Sequence, residues 1–356
     1  MAAGPSRPGG HHPRDLVASS SPLARKDRPM VIKLANAVLA ILGGIGGAIL
    51  LFWILNKLAE SLGRRWEDRV KPWAFAGPAI LAIGVYLIYP AVVTVQLSFA
   101  NASSTAYVGL ANYKDLLTSP DFLGVLINNL LWILIVPAAT VALGLGVAVL
   151  ADRLRSRGEK AAKTVIFLPM AISMVGAATI WRSVYEYQPE GESQTGLLNA
   201  IVGLFHSGPF FWYSIDTMHL NSLLLMVILI WTQVGYAMVL LSAAIKGTPE
   251  DTIEAARIDG ANERRIFFRV IVPQIKGTII TVFITVLIGV MKVFDIVYIT
   301  TNGAFNTDVI GRRFYNELFT NGNAGYAATI VVLLMLAITP VLIYQVRQFK
   351  AEEAGR

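Results

Sequence analysis

Seven long apolar stretches limit the solvent in which this chain can fold. A helix needs about 20 mostly apolar residues to cross a hydrocarbon core about 30 Å thick. The stretches that meet this need cover 31–56, 73–99, 123–151, 163–185, 219–245, 271–298 and 325–346. Backbone N–H and C=O groups in lipid must be paired within the protein, which a helix achieves by itself. The sequence therefore predicts an all-α polytopic membrane protein.

The composition supports this prediction and excludes several kinds of site. The chain is 55% hydrophobic and 15% charged, which is too apolar for a soluble globular domain. It has no cysteine, which rules out disulfides and thiolate chemistry, and its four histidines do not form a metal cluster. The net charge of +7 does not predict nucleic-acid binding, because the basic residues are spread between the apolar stretches. We expect no metal, no cofactor and no nucleic acid.

Basic residues in the loops predict the orientation in the membrane. Segments 152–163 and 246–269 each carry five Lys or Arg residues, whereas 100–122 has only Lys114. Short loops rich in Lys and Arg stay in the cytoplasm. This predicts six spans from residue 73 onward, with both of their ends inside the cell.

The predicted organisation has four parts. Residues 1–30 are rich in Gly, Pro, Ser and Arg and are predicted to be a disordered basic tail. Residues 31–71 form an extra N-terminal transmembrane helix and a cytoplasmic linker, 72–350 form the main transmembrane domain, and 351–356 are a short tail. The four glycines between 43 and 47 leave two alternatives to a simple span, which are a close helix contact and a re-entrant bend. A cleaved signal peptide is disfavoured, because the stretch is too long for one and lacks a cleavage site.

The loop between the fifth and sixth stretches carries strong helix signals. Thr248 is predicted to cap a short helix through Asp251, with Pro249 at the first helical position. Gly260 suits the left-handed conformation that ends this helix, and Asn262 can cap a second one. The two helices should lie in the cytoplasm and expose Glu254, Arg257 and Asp259. From this local chemistry alone, a capped connection without a partner and a docking element are both open.

The spacing of residues in this loop resembles a known motif. Glu254-Ala255-Ala256 is followed by Gly260 and then by Val270-x-Val272-Pro273. This closely resembles the EAA motif of binding-protein-dependent ABC importer permeases, with Val in place of the usual Ile and Leu. The resemblance implies a coupling helix near 249–262 that docks on an ATPase subunit. The residues that it assigns to coupling are Glu254, Ala255, Ala256, Asp259, Gly260 and Pro273.

The resemblance extends over about residues 73–350 and is strongest to the carbohydrate branch, the MalF-type permeases. Ala255–Ala261 and Phe294–Gly303 are typical of that branch, and Asn128-Asn129 with Trp132 and Leu168-Pro169 also fit. It implies a six-helix type I ABC importer core, preceded here by one extra N-terminal helix. It also implies a bacterial inner-membrane location and a sugar substrate, with an α-glucoside such as maltose or trehalose as the best candidate. The partners implied are a second homologous permease in a heterodimer, two ATP-binding cassette ATPase subunits and an extracytoplasmic sugar-binding protein.

The fifth stretch offers a candidate sugar site. Sugar hydroxyls that leave water need hydrogen-bond partners, and sugar rings stack on aromatic faces. The residues that combine these properties are Trp231, Thr232, Gln233 and Tyr236. Such polar residues also hold neighbouring helices together, and that role is equally open. Lys292 and Asp295, three residues apart, are predicted to neutralise each other on one helix face, and Tyr298 to be an interfacial anchor.

Catalytic motifs are missing from the sequence. There is no GxxxxGK[ST] phosphate loop, and the intramembrane acids do not form a catalytic pair. We therefore expect a permease that is not an enzyme and draws its energy from a partner. One alternative is a permease for another small solute, such as glycerol phosphate or a different oligosaccharide. A second is an intramembrane enzyme, which would need paired acids or a His–Asp constellation. A third is a membrane scaffold without transport.

Overall fold

The computed structural model describes residues 28–61, 64–189 and 191–354, and its regular structure there is almost entirely helical. The β pairing in these ranges is limited to an isolated bridge between Ala100 and Tyr107. The all-α prediction is confirmed. The predicted N-terminal tail lies outside the described residues up to residue 27, and residues 28–30 already belong to the first helix. Residues 351–354 of the predicted C-terminal tail continue the last helix, and 355–356 lie outside the described ranges.

The number of apolar segments agrees with seven spans. Five helical segments are long and apolar enough to cross a membrane: Ile32–Glu60, Trp66–Leu97, Pro120–Asp152, Thr217–Lys246 and Ala324–Gln348. Two bent pairs also qualify: Ser156–Ala171 with Met174–Val184, at 103°, and Glu263–Gln274 with Lys276–Met291, at 69°. Counting each bent pair as one span gives the predicted seven.

The described residues up to Pro90 form the first of two compact units. Its described helices are α1 (Arg28–Glu60) and α2 (Arg64–Ile83), followed by a π-helical turn at Gly84–Ile88. Helix α1 runs unbroken through its four central glycines, so the re-entrant bend is wrong for this segment. At 33 residues it is long enough to span. Helices α1 and α2 meet through the stacked rings of Phe52 and Phe75, whose centroids are 5.8 Å apart.

The second unit comprises residues 91–356 and carries the remaining helices. They are α3 (Tyr89–Leu97), which begins in the first unit, α4 (Ala111–Thr118), α5 (Pro120–Asp152), α6 (Ser156–Phe167), α7 (Met174–Val184), α8 (Leu197–Gly203), α9 (Leu220–Lys246), α10 (Glu250–Ile258), α11 (Glu263–Ile266), α12 (Val272–Gln274), α13 (Lys276–Met291), α14 (Asp295–Thr300), α15 (Ile310–Tyr315) and α16 (Ala324–Ala354). Short 3₁₀ turns lie at Leu168–Ala171, Trp212–Ser214 and Thr217–His219, and π-helical turns at Phe267–Ile271 and Asn316–Thr320.

Helices α5 and α9 form the centre of the second unit. Trp132 of α5 is completely buried in an apolar cluster with Leu225 and Ile228 of α9. Nearer the other end of α5, Gly144 allows a close crossing, because a Cβ built there would lie only 2.6 Å from the Cβ of Ala237. Close packing of small residues is a main source of helix association in membranes.

The predicted span at 163–185 is two helices rather than one. Helix α6 gives way to a 3₁₀ turn that contains Pro169, which has no N–H to continue the helix. Helix α7 then starts afresh, and Ser173 caps it by accepting a hydrogen bond from the N–H of Gly176 at 3.1 Å. The predicted position of the apolar stretch is correct, but the prediction of one continuous helix is wrong.

The predicted span at 271–298 is also broken. Helix α13 ends at Met291, and Phe294 has φ −145° and ψ −60°, outside the helical region. The prediction that Lys292 and Asp295 pair on one helix face is wrong, because no continuous helix joins them and they form no ion pair within 4.0 Å. Asp295 instead opens α14, where its charge complements the positive end of the helix dipole.

Candidate coupling helix and solute site

The loop after α9 contains the short helix that the sequence predicts. Helix α10 starts at Glu250, with Pro249 as the N-cap residue and no side-chain cap. The predicted cap by Thr248 is therefore wrong, because the helix begins one residue later than expected. The Thr248 hydroxyl is buried and has no hydrogen-bond partner among the residues that the structure describes. Glu250 and Asp251 lie in the first turn, where negative charge is favourable.

The end of α10 follows the prediction. Gly260 has φ +79°, the left-handed conformation that glycine adopts without strain. The N–H of Ala261 donates to the carbonyl of Ala256 at 3.0 Å, and the N–H of Gly260 donates to that of Arg257 at 3.0 Å. These two bonds form a Schellman motif, which fixes the exit of the chain from α10.

The second short helix is capped as predicted and is tied to the first. The Oδ1 atom of Asn262 accepts a hydrogen bond from the N–H of Arg265 at 2.9 Å. Arg257 Nε lies 3.0 Å from Glu263 Oε1, which links α10 to α11. The hydrogen bond and charge of Glu263 raise the pKa of Arg257, so the guanidinium remains charged. The two helices are thus held as one unit.

One face of α10 is open to a partner. Asp251, Glu254, Ala255 and Ile258 are all exposed and follow the i, i+3, i+4, i+7 spacing of a single helix face. The Ile258 side chain is 86% exposed, so this face presents an apolar group beside the charges of Asp251 and Glu254. Of the other predicted coupling residues, Asp259, Gly260 and Pro273 are exposed and Ala256 is half-buried.

A charged cluster that the sequence did not predict lies beside this loop. Lys163 Nζ of α6 lies 2.7 Å from Asp152 Oδ1 at the end of α5 and 2.6 Å from Glu159 Oε1, and it also donates to the hydroxyl of Ser242 in α9. Lys246, the last residue of α9, also pairs with Glu159. We call these five residues the Lys163 cluster. It joins three helices at the point where the chain enters the α10 loop.

The predicted sugar residues do not all share one location. Gln233 lines a pocket of about 120 Å³, and Trp231 packs edge-on against Trp181 with centroids 5.8 Å apart. Thr232 is only 1% exposed, and its hydroxyl donates to the carbonyl of Leu229 at 2.8 Å. Tyr236 is half-buried beside a separate apolar cluster. Only Gln233 reaches the pocket, which we call the Gln233 pocket.

The Gln233 pocket gains further polar residues from the break after α13. Lys292 and Asp295 line it, together with Met174, Leu229 and Phe294. The continuous helix predicted over 271–298 favoured a structural role for Lys292 and Asp295 over contact with a solute. Their charges and their position in the middle of an apolar stretch were the available signal.

Two asparagines of the family-like pattern anchor the segment that follows α14. Asn128 Nδ2 donates to the carbonyls of Asn306 at 2.7 Å and Asp308 at 3.0 Å. Asn129 Oδ1 accepts from the N–H of Ile310, at 3.4 Å. These bonds fix the segment between α14 and α15 against α5.

Long apolar helices with a polar pocket among them, and a short exposed helix in the loop after α9, are features of a membrane permease. The family model for the binding-protein-dependent transport system inner membrane component matches residues 140–350, more than half of the chain. The chain belongs to this family, and it is a multi-pass component of the inner membrane.

Individual proteins agree with this assignment. The chain is 42% identical to the alpha-glucoside transport system permease protein AglF of Rhizobium meliloti over 337 residues, which is 91% of this chain and 99% of that protein. It is 47% identical to the osmoprotective compounds uptake permease protein GgtC of Synechocystis over 282 residues, 79% of this chain and 100% of that protein. A chain from the crystal structure of a bacterial ABC transporter that imports alginate shares the fold, with a TM-score of 0.68, 20% identity and coverage of 81% of this chain and 99% of that chain.

Proposed function

We propose that this chain is the permease subunit of an ATP-driven importer that receives an α-glucoside, of the maltose or trehalose class, from an extracytoplasmic binding protein. The observation that carries the proposal is the exposed face of α10, which bears the EAA-like residues on a rigid, double-capped loop. The similarity to an alpha-glucoside permease over nearly the whole chain supports the choice of solute.

The proposed mechanism assigns chemistry and movement to different subunits. Two separate ATPase subunits bind and hydrolyse ATP, and their closure pushes on α10. A second homologous permease completes the path across the membrane. Because α10 is joined to α11 by the Arg257–Glu263 pair, a push on its exposed face is passed to the helices that follow. Directional transport needs two states whose balance is biased both by ATP and by the loaded binding protein.

The charges of the Gln233 pocket favour a neutral solute. Lys292 and Asp295 both line it, so the positive charge that an anion such as glycerol phosphate would require is offset by a carboxylate. The pocket volume of about 120 Å³ is below the roughly 300–1,000 Å³ of typical ligand sites. We infer that the pocket widens, or is completed by the second permease, when a disaccharide passes.

A second candidate solute follows from the other close relative. The 47% identity to an osmoprotective compounds uptake permease favours a small osmoprotective solute. Both candidates use the same coupling helix and the same neutral pocket, so only a transport assay separates them.

An uptake assay tests the proposed solute. Vesicles that contain the complete importer and its binding protein should accumulate labelled maltose or trehalose when ATP is supplied. Excess unlabelled α-glucoside should abolish accumulation, and glycerol 3-phosphate should not. Accumulation of an osmoprotective compound without any α-glucoside would reverse the choice between the two solutes. Failure to accumulate either class would refute sugar import.

Two adjacent substitutions test the role of the Gln233 pocket. Gln233→Ala should lower uptake and raise the apparent KM, because the amide is the polar group of α9 that reaches the pocket. Thr232→Ser is the matched control, since it keeps the buried hydroxyl that donates to the Leu229 carbonyl and lies 3.9 Å from the sulfur of Met174. If the two variants transported equally well, Gln233 would have no part in solute binding.

A further inference from the structure

A second and larger pocket lies at the end of the helices opposite the α10 loop. It has a volume of about 460 Å³, within the range of known ligand sites. We call it the Tyr213 pocket. Its lining includes Arg182, Glu186, Tyr187, Phe211, Tyr213 and Phe305.

Aromatic rings form one wall of the Tyr213 pocket. Phe211 packs edge-on against Phe305, with centroids 5.4 Å apart, and lies 5.5 Å from Tyr187. Phe211 and Phe305 remain 41% and 43% exposed, so their faces are open to a ligand. Exposed aromatic faces of this kind stack against the C–H surfaces of sugar rings.

Some polar groups of the pocket lack side-chain partners in the described chain, whereas its Tyr185, Thr300 and Thr301 hydroxyls are hydrogen-bonded. Arg182 and Glu186 are exposed, and neither forms an ion pair within 4.0 Å among the described residues. The hydroxyl of Tyr213 is buried without a hydrogen-bond partner in the part of the chain that the structure describes. Burial raises its pKa to about 12, so it stays protonated and can donate. The pocket thus offers both donors and acceptors, with opposite charges that favour a neutral, hydroxyl-bearing solute.

The Phe305 segment is held in a strained conformation. The backbone at Asn302, Phe305 and Asn306 has φ of 49°, 55° and 58°. These values lie in the left-handed region, which residues other than glycine adopt uncommonly. Asn128 and Asn221 fix the segment, each donating from Nδ2 at 2.7 Å, to the carbonyls of Asn306 and Phe305 respectively. Strain of this kind persists only where the surroundings enforce it, and it commonly marks ligand sites.

The Tyr213 and Gln233 pockets share two helices. Met174 of α7 lines the Gln233 pocket, whereas Thr179 and Arg182 of the same helix line the Tyr213 pocket. At 1.5 Å per residue, these positions are roughly 8–12 Å apart along α7. Helix α14 repeats the arrangement, with Asp295 at the Gln233 pocket and Thr300 at the Tyr213 pocket. The two pockets therefore follow one another along α7 and α14.

From this arrangement we propose that the Tyr213 pocket is a second saccharide-binding site, which the solute occupies before it reaches the Gln233 pocket. The inference rests on the proposed function for the direction of travel and the class of solute. Beyond that function, the Tyr213 pocket would be a second site with its own lining residues, and it would bind a neutral, hydroxyl-bearing solute.

The absence of cysteine from this chain permits a direct test. Ser183→Cys places a single thiol in the Tyr213 pocket, and Ser207→Cys places one at an exposed position that does not line it. The complete importer in membrane vesicles is treated with a polar thiol reagent, and labelling of this chain is followed with maltose or with sodium chloride at equal osmolarity. Maltose at about ten times its dissociation constant should slow labelling of Ser183→Cys about tenfold, because only unoccupied sites react. Labelling of Ser207→Cys should not change.

Two further measurements separate this proposal from the proposed function. Protection of Ser183→Cys should persist in a Gln233→Ala background, and protection that disappears there overturns a separate site. Equal labelling rates with and without sugar, in vesicles that still accumulate sugar, also overturn the second site and leave the importer assignment intact. If the wild type accumulates no saccharide, the proposed function fails, and protection by maltose alone then decides whether the pocket binds sugar.

Discussion

At the scale of single residues, buried amides hold together segments that are far apart in the sequence. Asn128 spans about 180 residues of chain with two hydrogen bonds to backbone carbonyls. A buried carbonyl that loses its partner costs about 1–3 kcal/mol. The asparagine therefore fixes the segment that contributes Phe305 to the Tyr213 pocket.

We predict that Asn128→Ala lowers the thermal stability of the purified protein in detergent. The expected loss is about 1–3 kcal/mol, because two carbonyls lose their donor. Asn129→Ala is the matched control, since its bond to Ile310 is long, at 3.4 Å, and its effect should be smaller. Melting curves measured side by side decide the matter, and an Asn129→Ala variant less stable than Asn128→Ala would refute this reading.

Residue-level predictions from the sequence were correct where the cause was local. Gly260 and Asn262 act through the backbone within a few positions, and both behave as predicted. Thr248 failed because its neighbour Pro249 took the capping position. Thr232 and Lys292 depend on which way each helix is turned and where it stops, and the sequence pattern does not contain that information.

At the scale of helices, the crossing of α5 and α9 depends on one glycine. A Cβ at Gly144 would lie 2.6 Å from the Ala237 Cβ and 3.1 Å from the backbone N of Met238. We predict that Gly144→Ala destabilises the protein by about 1–3 kcal/mol, because the helices must move apart. Thermal unfolding in detergent measures the change.

Gly146 provides the control for this crossing. It lies two residues further along α5, and a Cβ there would meet nothing within 4 Å. Gly146→Ala should be neutral or slightly stabilising, since alanine favours helix over glycine by up to about 1 kcal/mol. Equal melting temperatures for the two variants would show that the close crossing does not matter.

The Lys163 cluster is the second feature that holds helices together. Lys163→Ala removes one of the two cations that pair with Asp152 and Glu159, whose side chains are 18% exposed, and leaves Lys246 as their remaining partner. We expect a loss of about 1–2 kcal/mol after allowance for solvent screening. Coupling should weaken as well, since the cluster supports the start of the α10 loop.

Lys160 is the matched control for the cluster, because it lies in the same helix, is exposed and forms no ion pair among the described residues. Lys160→Ala should keep wild-type stability and transport. If Lys163→Ala also left both the melting temperature and uptake unchanged, the cluster would contribute neither to stability nor to coupling.

Hydropathy predicted the positions of the apolar segments but not their continuity. The criterion counts apolar residues over a window, so it does not detect a stop at Ile172 or at Lys292 within an apolar stretch. Pro169 and Ser173 were readable signals for the first break, since they remove a donor and cap a new helix. The second break has a weaker signal, a lysine and an aspartate that flank two apolar residues.

At the scale of the whole molecule, the proposed solute pockets and the proposed docking face are separate regions of the second unit. The polar pockets lie along α7 and α14, while the exposed face of α10 lies at the other end of the second unit's helices. The family resemblance predicted this division from the EAA-like loop. It did not predict the Tyr213 pocket, which is assembled from segments that are up to 126 residues apart in sequence, from Thr179 to Phe305.

The central claim is that energy enters through α10, and sugar-stimulated ATP hydrolysis tests it most directly. The complete importer is reconstituted with its binding protein, and hydrolysis is measured with and without maltose for the wild type, for Glu254→Lys and for Asp68→Lys, a charge reversal at an exposed position in the first unit. Maltose should stimulate the wild type and Asp68→Lys alike, while Glu254→Lys should insert in the membrane but remain at the unstimulated rate. A Glu254→Lys importer that responds to maltose as strongly as the wild type would contradict the account.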